Sequence, residues 1–174
     1  MATKKSATSK PSSARRSERS SGPDAVELLK SDHKEVKTLF EQFKQLVESE
    51  EVAEERQAVA QQICLLLTVH ATAEEEIFYP AARDAIEDSD LLDEAEVEHA
   101  SAKELIAQIE AMNPDDALYD AKVIVLGEYI DHHVKEEEGE LFPKCKKSDM
   151  DLRALGEAIE SRKAELMEEL GAVA

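Results

Sequence analysis

The sequence predicts an all-α fold, a bundle of helices, and two observations carry that prediction. The 174 residues are rich in Ala, Glu, Leu and Lys and include only five Gly and five Pro, which is typical of a helical protein. Apolar residues recur every three or four positions along five segments, as on the buried face of a helix. With 42% hydrophobic residues, 4% aromatic residues and no Trp, the core is expected to be mostly aliphatic.

Five helices are predicted, over residues 24–49, 52–79, 91–112, 115–141 and 150–170. The first begins after Gly22-Pro23, with Asp24 as its cap or first-turn acid. Pro80 should kink or end the second helix, with a short helical piece after it, and Pro143 should stop the fourth, because proline lacks a backbone donor and clashes one turn back. The fifth is expected to be an amphipathic helix that packs on the bundle.

The first 22 residues differ from the rest of the chain. They are rich in Ser, show no apolar periodicity and carry six basic residues against one acidic residue, so we expect a disordered basic arm. The predicted organisation is therefore an arm over 1–22, a helical bundle over 23–147 and a C-terminal amphipathic helix over 148–174.

The net charge of the chain indicates which kinds of partner its folded part can bind. The total is −19, and because the arm contributes +5, residues 23–174 carry −24, which argues against nucleic-acid binding by the folded body and leaves only the arm open to it.

No apolar run is long enough to span a membrane and no signal peptide is visible, so a cytoplasmic protein is expected. Cys64 and Cys145 are far apart and are expected to be buried or half-buried thiols in a reducing compartment.

Two stretches of the chain are near-copies of each other, at His70–Pro80 and His133–Pro143. Both read His-x-x-x-Glu and then, at the same distance, an apolar residue, an aromatic residue and proline. Residues four apart lie on one face of a helix, so each copy presents an imidazole and a carboxylate, His70 with Glu74 and His133 with Glu137, on the same side. One further histidine precedes each copy, His33 by 37 residues and His99 by 34, which indicates an internal duplication.

All four histidines lie in apolar stripes, one on each of the first four helices, and Glu74 and Glu137 lie there too. A buried carboxylate without a partner is costly, and metal ions would supply the compensating charge. Imidazole with carboxylate suits iron, with manganese or zinc as competitors. Acidic residues number 40, so one such pair would be weak evidence; two matched pairs with an in-register histidine on each other helix are stronger.

Neighbouring residues are weaker candidates. His132 lies about 100° around the helix from His133 and is expected at a helix interface or exposed. Tyr129 is expected either to line the metal pocket or to be ordinary core. The other glutamates of the two copies are expected to be solvated, although Glu75 or Glu136 could support the ligands from outside.

The chain resembles the hemerythrin-like, or HHE cation-binding, family. The resemblance covers roughly residues 24–145 and is carried by Asp32-His33-Lys34, His70-x-x-x-Glu74, Glu98-His99 and His133-x-x-x-Glu137, with their Phe-Tyr-Pro and Leu-Phe-Pro endings. It implies an up-down-up-down four-helix bundle with a non-haem, carboxylate-bridged centre of two iron ions. It also implies that one iron is bound by His33, His70 and Glu74 and the other by His99, His133 and Glu137, with both glutamates as candidate bridges.

One departure from the family bears on function. Oxygen-carrying hemerythrins have a histidine four residues after the third-helix histidine, where this chain has Lys103. The expected function is therefore a di-iron protein that binds or senses dioxygen, nitric oxide or iron, as a monomer or small homo-oligomer. The alternatives are a di-iron enzyme that acts on peroxide or ferrous iron, and a metal-free structural or interaction bundle.

Overall fold

The computed structural model describes residues 22–49 and 52–171, which form five continuous helical rods and no strand. The predicted basic arm lies outside these residues except for Gly22. The elements are α1 (Ala25–Glu48), α2 (Ala53–Ala73), a first π-helical segment (Glu74–Phe78), α3 (Tyr79–Ala85), α4 (Ser89–Glu110), α5 (Tyr119–Glu136), a second π-helical segment (Glu137–Leu141), α6 (Phe142–Lys147) and α7 (Leu152–Gly171). The all-α prediction is confirmed, and none of the described helices is long and apolar enough to cross a membrane.

The start of α1 is the predicted one. The Asp24 side chain accepts a hydrogen bond from the Glu27 backbone N–H at 2.9 Å, and the Glu27 side chain accepts one from the Asp24 N–H at 3.0 Å. This reciprocal capping box satisfies backbone donors that have no partner within the helix. The predicted start of the fourth helix at Asp115 is wrong: the Asp116 carboxylate accepts from the Asn113 N–H at 3.0 Å and holds a turn, so α5 begins only at Tyr119.

The prolines do not end their helices. The prediction that Pro143 stops the fourth helix is wrong, because α6 continues through it. After Pro80 the chain continues as α3, which is the predicted short helical piece. In each rod a π-helical segment comes immediately before, and the N–H groups of Tyr79 and Phe142 reach back five residues, to the carbonyls of Glu74 and Glu137. This wider turn changes the register of the backbone bonds, so that proline falls in the first turn of the helix that follows, where its missing donor costs little.

The core has two apolar clusters with the histidine layer between them. Along α1 the chain passes from Val26 through His33 to Phe43, that is, from one cluster to the other. Along α2 and α3 it passes back, α4 repeats the first direction and α5 with α6 the second. This alternation is an up-down-up-down bundle, which confirms the predicted topology and places the four histidines at one level.

The C-terminal helix α7 packs on the bundle, against α1 and α2. Its buried residues are Gly156, Ile159 and Leu166, spaced three and seven residues apart, as expected for one face of a helix. Ile159 joins the apolar cluster at the end of the bundle where α1 begins. The predicted extra helix is therefore part of the folded unit.

Candidate metal centre

The structure brings all six predicted site residues into one buried layer. The histidine side chains come one each from α1, α2, α4 and α5, and the two glutamates are the first residues of the π-helical segments. Their exposed fractions are 8% for His33, 6% for His70, 0% for Glu74, 3% for His99, 4% for His133 and 2% for Glu137. No other histidine and no other charged residue in the described part of the chain is as fully buried.

The Nε2 atoms of the histidines meet in pairs within each half of the chain. His33 and His70 approach to 3.2 Å, and His99 and His133 approach to 3.1 Å. The glutamates connect the halves, because each Oε2 atom lies near one histidine of each pair. Glu74 Oε2 is 3.1 Å from His70 Nε2 and 3.4 Å from His99 Nε2.

The second glutamate repeats this arrangement. Glu137 Oε2 is 3.3 Å from His33 Nε2 and 3.5 Å from His133 Nε2. Each carboxylate therefore lies between the two histidine pairs, as the internal duplication predicts.

Each histidine also holds its outward nitrogen, Nδ1, against a carboxylate from another segment. A hydrogen bond from Nδ1–H orients the ring and leaves Nε2 to face the interior, which is the usual arrangement for metal-binding histidine. The four pairs are His33 with Glu138 at 3.0 Å, His70 with Asp32 at 3.1 Å, His99 with Glu75 at 3.0 Å and His133 with Glu98 at 2.8 Å.

From sequence, Asp32 and Glu98 had no predicted supporting role, and Glu75 was one of two candidates for such a role. Glu138 was expected to be solvated, but it hydrogen-bonds His33. A signal was present, since Asp32 and Glu98 directly precede the first histidine of each half, and Glu75 and Glu138 directly follow the two inward glutamates. An acid next to an inward residue projects sideways along the bundle surface, where the neighbouring helix is within reach.

Tyr79 is a further contact that the sequence analysis missed. Its side chain is buried, and its hydroxyl donates to Glu137 Oε1 at 2.9 Å and lies 3.2 Å from His99 Nε2. Burial, together with the nearby carboxylates of Glu74 and Glu137, raises the pKa of this phenol well above its ordinary value. Tyr79 is therefore a neutral donor that holds one oxygen of Glu137.

Three weaker candidates, His132, Glu136 and Tyr129, fall outside the layer. His132 is exposed and lies 3.3 Å from Glu136 and 3.5 Å from Glu98, which agrees with its predicted position. Glu136 therefore pairs with His132 and supports none of the four buried histidines. Tyr129 is 51% exposed, so it is not a core residue. It lines a pocket that His99 and His133 also line, which agrees with the other expectation for it.

The unpaired atoms of this layer fit a bound cation. Both oxygens of Glu74 and the Oε2 atom of Glu137 are buried without a hydrogen-bond partner, and such atoms are costly unless a cation compensates them. Potential ligand atoms lie within 4.8 Å of one another in two groups that share Glu74. One group has His33, His70, Glu74 and Glu137, and the other has Glu74, His99 and His133.

Comparison with known families agrees with this geometry. The model of the hemerythrin HHE cation binding domain matches residues 24–145, which include every member of the layer. The chain belongs to the hemerythrin HHE cation-binding family. Metal binding is the function that this membership and the buried His and Glu groups together indicate.

This HHE domain is similar to one protein in sequence and to one solved structure in fold. A protein named DNA nickase from Nostoc sp. (strain PCC 7120) is 32% identical over 116 residues, which is 67% of this chain and 32% of that protein; this chain thus spans about a third of that relative's length. A crystal structure of an HHE cation-binding domain-containing protein from Mycobacterium kansasii has a TM-score of 0.70 and 24% identity, and covers 85% of this chain and 90% of that chain. The second likeness confirms the hemerythrin-like fold.

Lys103 lies where oxygen-carrying hemerythrins have a histidine. Its ammonium group does not point at the Nε2 atoms of the four buried histidines. Its Nζ atom bonds both oxygens of Glu75, at 2.7 and 2.5 Å, and Glu75 in turn holds His99. The lysine thus neutralises a supporting carboxylate, and it leaves the His99 and His133 group of the domain with fewer potential ligands than the other group.

A small cavity lies beside the four histidines of the domain. Its volume of about 20 Å³ suffices for about one water-sized molecule, which needs roughly 10–15 Å³. Its walls are largely apolar, with Lys103 at one side. The apolar wall residues are Val36, Leu67, Ala71, Ala102, Ile106, Ile130 and Val134.

In the metal-free HHE domain, the buried charges of His70 and Glu137 make the stability of the fold depend on pH. Burial opposes the charged form of His70, but Glu74 and Asp32 outweigh it and raise the pKa from 6.5 to about 10. Burial likewise opposes the charge on Glu137, but His33, His133 and His70 outweigh it and lower the pKa from 4.5 to about 2. The charged form of His70 stabilises the fold below pH 6.5 and that of Glu137 above pH 4.5, so stability should peak between them.

We expect the free energy of unfolding of chelator-treated protein, measured by urea denaturation, to fall as pH rises from 6.5 towards 10 and as it falls from 4.5 towards 2. His70→Gln should flatten the alkaline decline, because the raised pKa belongs to that ring. Stability that increased between pH 6.5 and 9 would contradict the assignment. Metal affinity should instead rise as pH rises from 6.5 towards 10, because a metal ion at Nε2 displaces the proton there.

Both cysteines are buried free thiols, as expected. Burial, with the nearby charge of Glu110, raises the pKa of Cys64 to about 12. Burial, with the charge of Glu137, raises the pKa of Cys145 to about 11. These thiols are core residues and are poor metal ligands at neutral pH, because only the thiolate binds metals well.

Proposed function

We propose that this protein is a non-haem di-iron protein that binds or senses a small ligand such as dioxygen, peroxide or nitric oxide. The observation that carries the proposal is the position of the two buried glutamate oxygens, each between histidine nitrogens of both halves. Two ions placed among these atoms would both be near Glu74 and Glu137. The proposed ligands are His33, His70, Glu74, His99, His133 and Glu137.

Iron is proposed because the donor set contains only imidazole and carboxylate. This mixture suits iron, and manganese and zinc are the competitors. Neither cysteine lies in the set, which argues against a structural zinc site of the cysteine-rich kind. Iron in such a site would supply reversible coordination or one-electron chemistry to a small molecule.

Binding of a small ligand is supported by the cavity and by the asymmetry of the two groups. The cavity holds about one small molecule, has largely apolar walls and touches all four histidines. The group with three potential ligands, Glu74, His99 and His133, has more room for an external ligand than the group with four. The Tyr79 hydroxyl on the same side of the layer is a neutral donor that would hold Glu137 in place as the ligand enters.

The first experiment is the content of iron, manganese and zinc per chain in aerobically purified protein, with an absorption spectrum of the same sample. We expect close to two irons per chain, as in other helix bundles that carry carboxylate and histidine pairs, and near-ultraviolet charge-transfer bands. Protein with no metal, and none after anaerobic reconstitution with ferrous iron, would favour the interaction-bundle alternative. Manganese or zinc in place of iron would support the proposed ligands but contradict the proposal that the metal is iron.

An enzyme that acts on peroxide or ferrous iron is the second candidate. The group of Glu74, His99 and His133 favours this candidate, because an ion held by only three protein ligands could bind and release a substrate. Turnover of hydrogen peroxide well above that of the same amount of free iron would select it. Spectral change on addition of dioxygen or nitric oxide without turnover would select the binding or sensing function.

DNA nicking is not proposed for this chain. That name belongs to the Nostoc relative, of which the matched segment is about a third. A charge of −24 on residues 23–174 would repel the DNA backbone.

A further inference from the structure

The buried face of α7 contains one lysine among apolar residues. Ile159 and Leu166 are buried, and Lys163 lies between them at spacings of four and three, so all three share one face. A lysine on the packing face of a helix needs a partner for its charge. Lys163 Nζ has one, at 2.5 Å from Asp32 Oδ1 of α1, with side-chain exposures of 24% and 15%.

The same carboxylate supports a proposed metal ligand. Asp32 Oδ2 lies 3.1 Å from His70 Nδ1, so Lys163, Asp32 and His70 form a continuous chain of polar contacts through three helices. Two other histidines have comparable chains, through Glu138 to Lys30 and through Glu75 to Lys103. Those lysines lie within the segment matched by the family, whereas Lys163 lies beyond residue 145.

We infer that Lys163 is a positioning residue for His70 and that docking of α7 therefore contributes to the affinity of the metal centre. The inference rests on the proposed metal-binding function. Lys163 fixes one oxygen of Asp32, which leaves the other oriented towards His70 Nδ1 and keeps the Nε2 atom of the ring directed into the layer. Because coupling between two sites is reciprocal, bound metal should favour the docked position of α7 by the same factor.

The neighbouring residue provides a matched control. Arg162 also ties α7 to the bundle, through two hydrogen bonds to Glu76 at 2.7 and 3.2 Å. Glu76 is exposed, and among the described residues its ion pair is with Arg162 and with no histidine. Lys163→Gln and Arg162→Gln therefore each remove one ion pair of α7, but only the first removes a contact that leads to the metal centre.

The test is the dissociation constant for cobalt(II), measured by competition with a coloured chelator on the full chain. Lys163→Gln should raise Kd about three- to tenfold, at or below the lower end of what loss of a ligand's outer partner costs. Lys163→Arg should restore most of the affinity. Arg162→Gln removes only an exposed ion pair, which contributes little to the docking of α7, so it should change Kd far less than Lys163→Gln does. Equal effects of the two glutamine variants, or none from Lys163→Gln, would overturn the inference.

A second measurement needs no metal, so it separates this inference from the proposed function. In chelator-treated protein labelled with nitrogen-15, Lys163→Gln should shift the ring-nitrogen resonances of His70 and leave those of His133 in place, because His133 is held by Glu98. Unchanged His70 resonances would overturn the inference even if the wild-type protein binds metal. Failure of wild-type protein to bind cobalt or iron would instead reject the proposed function.

Discussion

Glu74→Gln is expected to abolish binding of both metal ions. Glu74 is the residue shared by the two groups of potential ligands, and the amide keeps the volume of the side chain while it removes the charge. We expect metal affinity to fall by more than about 100-fold, because loss of even an outer partner of a ligand costs up to that factor. Metal content after dialysis and the metal-dependent rise in Tm measure the effect.

Two variants give this experiment its contrast. His99 belongs to only one of the two groups, so His99→Ala should reduce bound iron to about half and leave the other group occupied, or abolish binding if the ions bind cooperatively. Glu128 is an exposed carboxylate of α5, and Glu128→Gln should keep both metals. Full metal content in Glu74→Gln or in His99→Ala would reject the proposed ligand set.

Gly156→Ala is expected to displace α7 from the bundle. A Cβ atom at this position would lie 2.7 Å from the Pro23 carbonyl oxygen and 3.0 Å from the Ala25 nitrogen. Both atoms belong to the backbone where α1 begins, so they cannot move aside as a flexible side chain would. We expect a loss of about 1–3 kcal/mol in the free energy of unfolding, the usual cost of overpacking, measured by urea denaturation.

Gly139→Ala is the matched substitution, because no atom from outside the neighbouring backbone of its own helical segment lies within 4 Å of the added Cβ there. In a helical segment alanine is favoured over glycine by roughly 0.5–1 kcal/mol, so this variant should be as stable as wild type or more so. Equal changes in stability at the two positions would mean that α7 does not approach α1 as closely as described. Weaker metal binding in Gly156→Ala alone would agree with the role inferred for Lys163.

The level of the site along the bundle was predictable from the sequence. His33 lies four residues after Leu29 and three before Val36, so helical periodicity alone places it on the buried face. The same holds for the other three histidines, and the two His-x-x-x-Glu copies place Glu74 and Glu137 beside them. Buried carboxylates in an aliphatic core need a compensating positive charge, which protonated His70 or a bound metal ion can supply.

The helix ends were less predictable where backbone geometry depends on the rest of the fold. Pro143 ends a helix in isolation, but here the second π-helical segment precedes it and the rod continues to Lys147. In each copy that segment begins at the buried glutamate, Glu74 or Glu137. The preference of a single residue carries no information about this wider turn.

The sequence by itself determined the helical rods, the inward face of each rod and the six residues of the buried layer, because these follow from periodicity along one chain. Only the tertiary structure decided which carboxylate holds which histidine, where Tyr79 donates its hydrogen bond and that Lys163 reaches Asp32 from 131 positions away. Such contacts depend on the rotation and register of neighbouring helices, which are fixed when their side chains pack together.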